Sequence, residues 1–387
     1  MPGVVAVTTG RGVNLETDIK TGSGDGDTTP YFGKGLIPWT DDDAPGSSGS
    51  GNANIHNTIL FQKALNLMGY QIFDPLYIPA KSYYLRPGLV ISGLGGRINT
   101  GGGLMYLMAE IDRAYYAGPN GPLKNVSRLQ FTGPDTVPCI DYRGFGWYIE
   151  PLVLNGFQVS AEADVAAAIN GTGVFATRRS VGLQVSYYSG NPAVGNLWSG
   201  GMIMFGFKKG VYIPDGSNNR DRICMKQLTG ILCDVVFQND FNQSVFDWIG
   251  RLEVIYPCDY AVVFNAAGDM RVDFGVMEAS ATTTRSNTFL KVNSSGLNSP
   301  RFNVDHLGID NTAIPGFKVL EIGTGANNCL IQMGLYIDNN HVGSGYSDDP
   351  IVKLPAGWNA STLASNKITI RLDGVGMSPT TAALYPR

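Results

Sequence analysis

Residues 262–268 read VVFNAAG, residues 289–296 read FLKVNSSG and residues 319–325 read VLEIGTG; each is followed within a few residues by a second apolar run. Phe264, Val292 and Ile322 hold the same place in the three copies, so the steps are 28 and 30 residues. An earlier copy, VVFQND at 235–240, puts Phe237 in that place, 27 residues before Phe264. Copies of this size, made of short strands and Asn/Ser/Gly turns, are the pattern of a solenoid. One unit cannot bury its apolar face alone, and stacking supplies the neighbour. The steps vary, which suits a parallel β-helix, whose coils carry loops of different length. The expectation is an all-β solenoid with Phe237, Phe264, Val292 and Ile322 in one vertical file.

Composition agrees. Glycine accounts for 50 of 387 residues, well above the usual level of roughly 7%, and is scattered among Asn, Ser and Asp, as many corners require. Lys and Arg number 28 against 32 Asp and Glu, a net charge of −4. With no basic stripe, nucleic acid is not expected as a partner. Cys139, Cys224, Cys233, Cys258 and Cys329 are odd in number, with no CxxC or Cys/His cluster. Buried reduced thiols are expected, in keeping with assembly in a reducing cytoplasm, and neither a zinc site nor any other cofactor is. The start, MPGVVAVTTGRGVNLETD, lacks a basic segment followed by a long apolar core, so no secretory leader is expected. No run of about 18 apolar residues occurs, so no membrane insertion is expected.

The chain divides into three parts. Residues 1–53 are rich in Gly, Ser, Thr, Asp and Pro and form an arm: either a disordered tail or a segment that orders against a partner through Phe32, Ile37 and Trp39. The stretch IHNTILFQKALNLMG (55–69) carries Leu60, Ala64, Leu67 and Met68 on one helical stripe with Phe61 and Leu65 beside them. That predicts a helix over 57–68, with Asn57 as N-cap and Gly69 just past the end, closing the open end of a solenoid that spans 54–340. SAEADVAAAING (160–171) is helix-prone and is expected as a surface insertion. Residues 341–387, through GSGYSDDP and KITIRLDG, form a C-terminal cap or a trimer-clasping β element.

FQKAL at 61–65, LYIPAKSYYL at 76–85 and the glycine-rich turn that follows resemble the opening of the pectate-lyase-like right-handed parallel β-helices, bacteriophage tailspikes and tail fibres among them. The match covers about 40 residues. Lys81 stands where that family usually has glycine, and Asn54, His56 and Asn57 stand where it has an acidic pair. The resemblance implies a right-handed coil, a homotrimer, a virion location, attachment to other tail proteins through residues 1–53, and host surface polysaccharide as the partner.

The second strands read FDWI (246–249), VDFGV (272–276) and VDHLGI (304–309). If Phe246, Val272 and Val304 point inward, alternation sends Asp247, Asp273 and Asp305 outward. Parallel strands stack about 4.8 Å apart, so the acids would form a column. Like charges that close raise one member's pKa, and a proton donor beside an ionised carboxylate is what glycosidic cleavage needs. Retaining enzymes hold the pair about 5 Å apart and inverting ones about 6.5–9.5 Å. Asp247, Asp273, Asp305 and Glu278 are therefore the catalytic candidates, with Glu253 and Asp310 widening the acidic face. Trp248, Tyr256 and Tyr260 are the candidate sugar-packing rings. The same acids could instead serve only solubility or bond to turn amides.

His306 follows Asp305, but neither Arg-x-Pro-x-x-Arg nor Gly-His-Gly, the lyase and polygalacturonase signatures, is present; a buried or turn-bonded structural histidine is expected. His56 and His341 are too isolated for a metal. The pairs Tyr115–Tyr116 and Tyr187–Tyr188 could be surface or core. Three functions remain open: a spike that binds host polysaccharide and cleaves it by hydrolysis, a non-catalytic adhesin or structural fibre, and, least favoured, a free polysaccharide lyase or hydrolase.

Overall fold

The structure, a computed structural model, describes residues 12–21, 33–38, 53–68, 75–101, 126–156, 178–186, 196–215, 222–241, 246–255, 259–266, 268–278, 286, 288–293, 301–310, 318–337 and 352–375. Among them every strand pairing is parallel, and the strands join into a single sheet. From Phe207 onward each coil holds one short strand and one long strand. Val235–Asn239 leads to Phe246–Ile255, Tyr260–Phe264 to Asp269–Glu278, and Thr288–Val292 to Arg301–Asp310. Short strands pair only with short strands and long with long. The backbone therefore returns to the same place once per coil, and the fold is a parallel β-helix.

Vertical files of aliphatic side chains fill the interior. Met225, Ile249, Val272, Val304 and Met333 lie in register on successive long strands, all buried. Removing such a side chain from water contributes about 1.5–3 kcal/mol, so each coil is stabilised by the coils on either side of it.

The expected single file is corrected at one member. Phe264, Val292 and Ile322 are in register, but Phe237 pairs with Val262, and Asn239 takes the place opposite Phe264. Phe237 belongs to the adjacent inner file, Phe237–Val262–Leu290–Leu320, with its ring centroid 6.4 Å from that of Phe264. This coil is 25 residues long, from Phe237 to Val262, against the 27 that the look-alike VVF motifs imply. A slip of two keeps Phe237 on the inner side.

The N-terminal boundary also moves. Val13–Asn14 pairs in parallel with Leu76–Tyr77, and Val13, Leu15, Ile19 and Leu36 are buried in the common core. The described parts of residues 1–53 are thus part of the end of the solenoid; Phe32 and Trp39 lie outside the described residues. The helix runs Ala53–Met68, so Asn57 lies inside it and is not its cap. Its buried side chain clamps the incoming chain instead. Oδ1 accepts from the Ile37 amide at 2.8 Å, while Nδ2 donates to the carbonyls of Ile37 at 3.0 Å and Tyr84 at 2.9 Å. A carboxylate could not donate to those carbonyls, whereas an amide both donates and accepts. His56, also buried, has Nε2 2.8 Å from the Gly35 carbonyl oxygen.

At the other end, Val352–Lys353 pairs with Leu320–Glu321 and Thr369–Val375 with Leu330–Tyr336. The coil continues past the expected boundary at 340, with the short helix Ala360–Ser365, capped by Asn359, between the two strands. Cys139, Cys224, Cys233 and Cys329 are buried free thiols. Cys258, His341, Tyr115, Tyr116, Tyr187, Tyr188 and the 160–171 segment lie outside the described residues.

Replacing Asn57 with Ala strands the peptide group of Ile37 and the Tyr84 carbonyl, each unsatisfied buried group costing about 1–3 kcal/mol. Hydrogen exchange at the Ile37 amide should accelerate in Asn57→Ala while amides of the 260–337 coils keep their protection. Unchanged exchange at Ile37 would show that the clamp does not hold this segment.

Candidate functional site

The long strands from Arg222–Ile231 to Arg301–Asp310 turn a corner midway, because two successive residues face outward there. Ile249 and Leu252 are buried and Gly250 and Arg251 are not; Val304 and Leu307 are buried while Asp305 and His306 are exposed. Pairing to Leu330–Ile337 slips between Val304 and Leu307, so Asp305 and His306 bulge over Gly334, where a Cβ would collide with the Asp305 carbonyl.

This corner brings Asp273 and Asp305 together on adjacent strands, as expected, but with a cation between them. Arg271 donates from Nε to Asp273 Oδ1 at 2.8 Å and from its terminal nitrogen to Asp305 Oδ2 at 2.7 Å. Asn303 donates to the other oxygen of Asp305 at 2.7 Å, and the Trp248 indole N–H to the other oxygen of Asp273 at 2.9 Å. The carboxylates thus face a guanidinium rather than each other, and the like-charge pairing expected from sequence is relieved. Their hydrogen bonds hold the Arg271 pKa above its ordinary value.

The other candidates fall elsewhere. Asp247 pairs with Met270, three residues short of Asp273, is fully buried, and accepts the Ile223 amide at 3.1 Å. It is therefore not in the outer column; by register, Gly250 holds that place. Glu278 pairs with Asp310 at the far end of the long strands; their side chains, and all of Tyr256, lie outside the described residues. Tyr260 belongs to a separate cluster on the short strands, where Lys291 donates to its hydroxyl at 3.2 Å and that hydroxyl lies 3.3 Å from Glu321. Lys291 and Lys353 both pair with Glu321, at 2.9 and 3.1 Å. Burial acts to raise the Glu321 pKa, yet the hydrogen bonds from the two lysines leave it below its ordinary value.

His306 is exposed rather than buried. Its ring stacks on Phe274 at 5.1 Å and 6°, and the Arg251 guanidinium sits 5.0 Å from the centroid of Phe274. Arg251, Phe274 and His306 are register partners, so one outer column of the corner is a cation–π and ring stack. Arg251 also pairs with Glu253, whose carboxyl is almost wholly buried and accepts from Thr229.

Sequence reasoning found Trp248 but missed the column to which it belongs. Arg97, Tyr148, Trp198, Cys224, Trp248, Arg271 and Asn303 occupy one register position on seven successive strands. Trp198 is 43% exposed, a high value for an indole, and the Arg97 guanidinium lies 5.2 Å from the Tyr148 centroid while bonding Glu150 at 2.7 Å. Two glycines two residues further along give the rings room. A Cβ on Gly250 would meet the Lys226 carbonyl oxygen and crowd the Trp248 benzo ring, and one on Gly200 would crowd Pro151 and the Tyr148 hydroxyl. Glycine in a strand often marks such close approach. The signal was present as Trp-x-Gly in LWSG (197–200) and again in DWIG (247–250), but steps near 50 residues hid it. The result is a wall of ring faces bordered by fixed donors and acceptors, suited to packing and hydrogen-bonding a hydroxyl-rich ligand.

Burial raises the Glu253 pKa above its ordinary 4.5, against the opposing pull of Arg251. Between those two values the folded chain keeps a proton that the unfolded chain has released, so stability should fall as pH rises across that interval. Glu253→Gln should lose this decline in a series of melting temperatures against pH; a decline of the same size in the variant would assign it to another group. Compared with protein-family models, with curated proteins and with solved structures, the chain matches nothing in any of the three.

Proposed function

We propose that this chain is a bacteriophage tailspike or tail-fibre subunit that holds a host surface polysaccharide against the outer wall of its long strands. The observation that carries the reading is the in-register column of Tyr148, Trp198 and Trp248. Rings on a rigid sheet present apolar faces without further ordering, and the apolar faces of sugars pack on them. The Arg97–Glu150 pair and the Trp248–Asp273–Arg271–Asp305 chain supply donors and acceptors for hydroxyls along the border. The resemblance of FQKAL and LYIPAKSYYL to the tailspike opening supports the virion setting, a homotrimer and docking to other tail proteins through the N-terminal residues.

Binding without cleavage is the reading favoured, because Arg271 fills the space between the carboxylates that hydrolysis would use. The second reading, a glycoside hydrolase, draws on Asp273 and Asp305 standing on adjacent strands, a spacing of about 4.8 Å that suits a retaining pair.

Binding to at least one member of an array of immobilised capsular and lipopolysaccharide glycans is expected, with a trimer by light scattering. Silence across the array, together with a clean monomer, would sink the proposal. New reducing ends from a bound glycan, abolished in Asp273→Asn at unchanged melting temperature, would decide for hydrolysis; their absence decides for an adhesin.

A further inference from the structure

Resting on the polysaccharide reading above, we infer that the wall between Trp198 and Trp248 seats a sugar unit bearing an anionic group, with Lys226 as its counter-ion. Trp198, Cys224 and Trp248 are consecutive in the column, so the two indoles are about two strand spacings apart, roughly 9–10 Å. Cys224 between them is small and only 5% exposed. The floor of this interval is therefore recessed between two rings.

The neighbouring outward position on the same three strands is Gly200, Lys226 and Gly250, as the pairing of Ser199, Met225 and Ile249 sets it. With glycine above and below, the exposed Lys226 rises beside the recess, and the exposed Arg222, two residues before Cys224 on the same strand, stands near its other side. The other charges along this wall close among themselves. Arg97 meets Glu150, and Arg271 meets both Asp273 and Asp305. Among the described residues no carboxylate pairs with Lys226. The local charge between the two ring faces is thus cationic, the complement of a sugar carrying a carboxylate or phosphate. An ammonium is a point charge without the fork of a guanidinium, so it accepts either group.

The test uses the full chain on an array holding uronate-bearing, phosphate-bearing and neutral bacterial polysaccharides. Acidic members should bind, and which class binds identifies the group. Trp198→Ala and Trp248→Ala should each weaken that binding about tenfold or more, a loss of some 1.4 kcal/mol. Lys226→Gln should weaken acidic members similarly and flatten the dependence of affinity on salt. Lys208→Gln, on a short strand, should change nothing. Because these side chains lie on the outer face, melting temperatures should hold and separate lost binding from lost fold. Binding confined to neutral members, or indifferent to Lys226→Gln, or surviving both tryptophan changes, overturns this subsite and leaves the polysaccharide reading standing. Silence across the array overturns the subsite, and together with a clean monomer it overturns both.

Discussion

The structure depends on one constraint: each coil's strands must hydrogen-bond, in parallel and in register, to the coils above and below. Buried backbone groups have to be paired, and a parallel ladder pairs them with the equivalent strand one coil away. Register then fixes every side chain's neighbours. Residues far apart in sequence, such as Met225, Ile249 and Val272, are stacked at strand spacing because their backbones are. The dry inner files and the outer aromatic column are two results of the same ladder.

The bend in the long strands converts this regularity into a site. Straight strands would send alternate residues outward and leave the acids on a flat face. Two consecutive outward residues at the corner set Asp273 beside Phe274 and Asp305 beside His306. One column then becomes an ion-paired chain and the next a stack of Arg251, Phe274 and His306. Exposed ion pairs of this kind contribute little to stability, about 0–1 kcal/mol each. Their consequence lies in geometry: Arg271 fixes the positions of both carboxylates and, through Asp273, of the Trp248 indole that borders the recess.

The end of the solenoid follows from the same pairing rule. An exposed last coil would leave core residues such as Leu76 and Ile78 open to water, and the chain covers them with the helix Ala53–Met68 and the strand Val13–Asn14. Asn57 ties that cover to the first coils because an amide both donates and accepts. A glycine-rich composition thus did not preclude burial: a few apolar residues, Val13, Leu15, Ile19 and Leu36, suffice where a preformed edge receives them.

Alternation and the spacing of short apolar runs are local properties, and from them the sequence by itself determined the all-β solenoid, the capping helix, the files through Phe264, Val292 and Ile322, and the adjacency of Asp273 and Asp305. Register depends on how many residues each loop consumes, and only the tertiary structure decided that. Where the motif match was wrong by two residues, at Phe237, the side chain stayed on the inner side. Where it was wrong by three, at Asp247, it changed sides and was buried. The column joining Tyr148, Trp198 and Trp248 was beyond local reading for the same reason, since its members meet only after whole coils have closed.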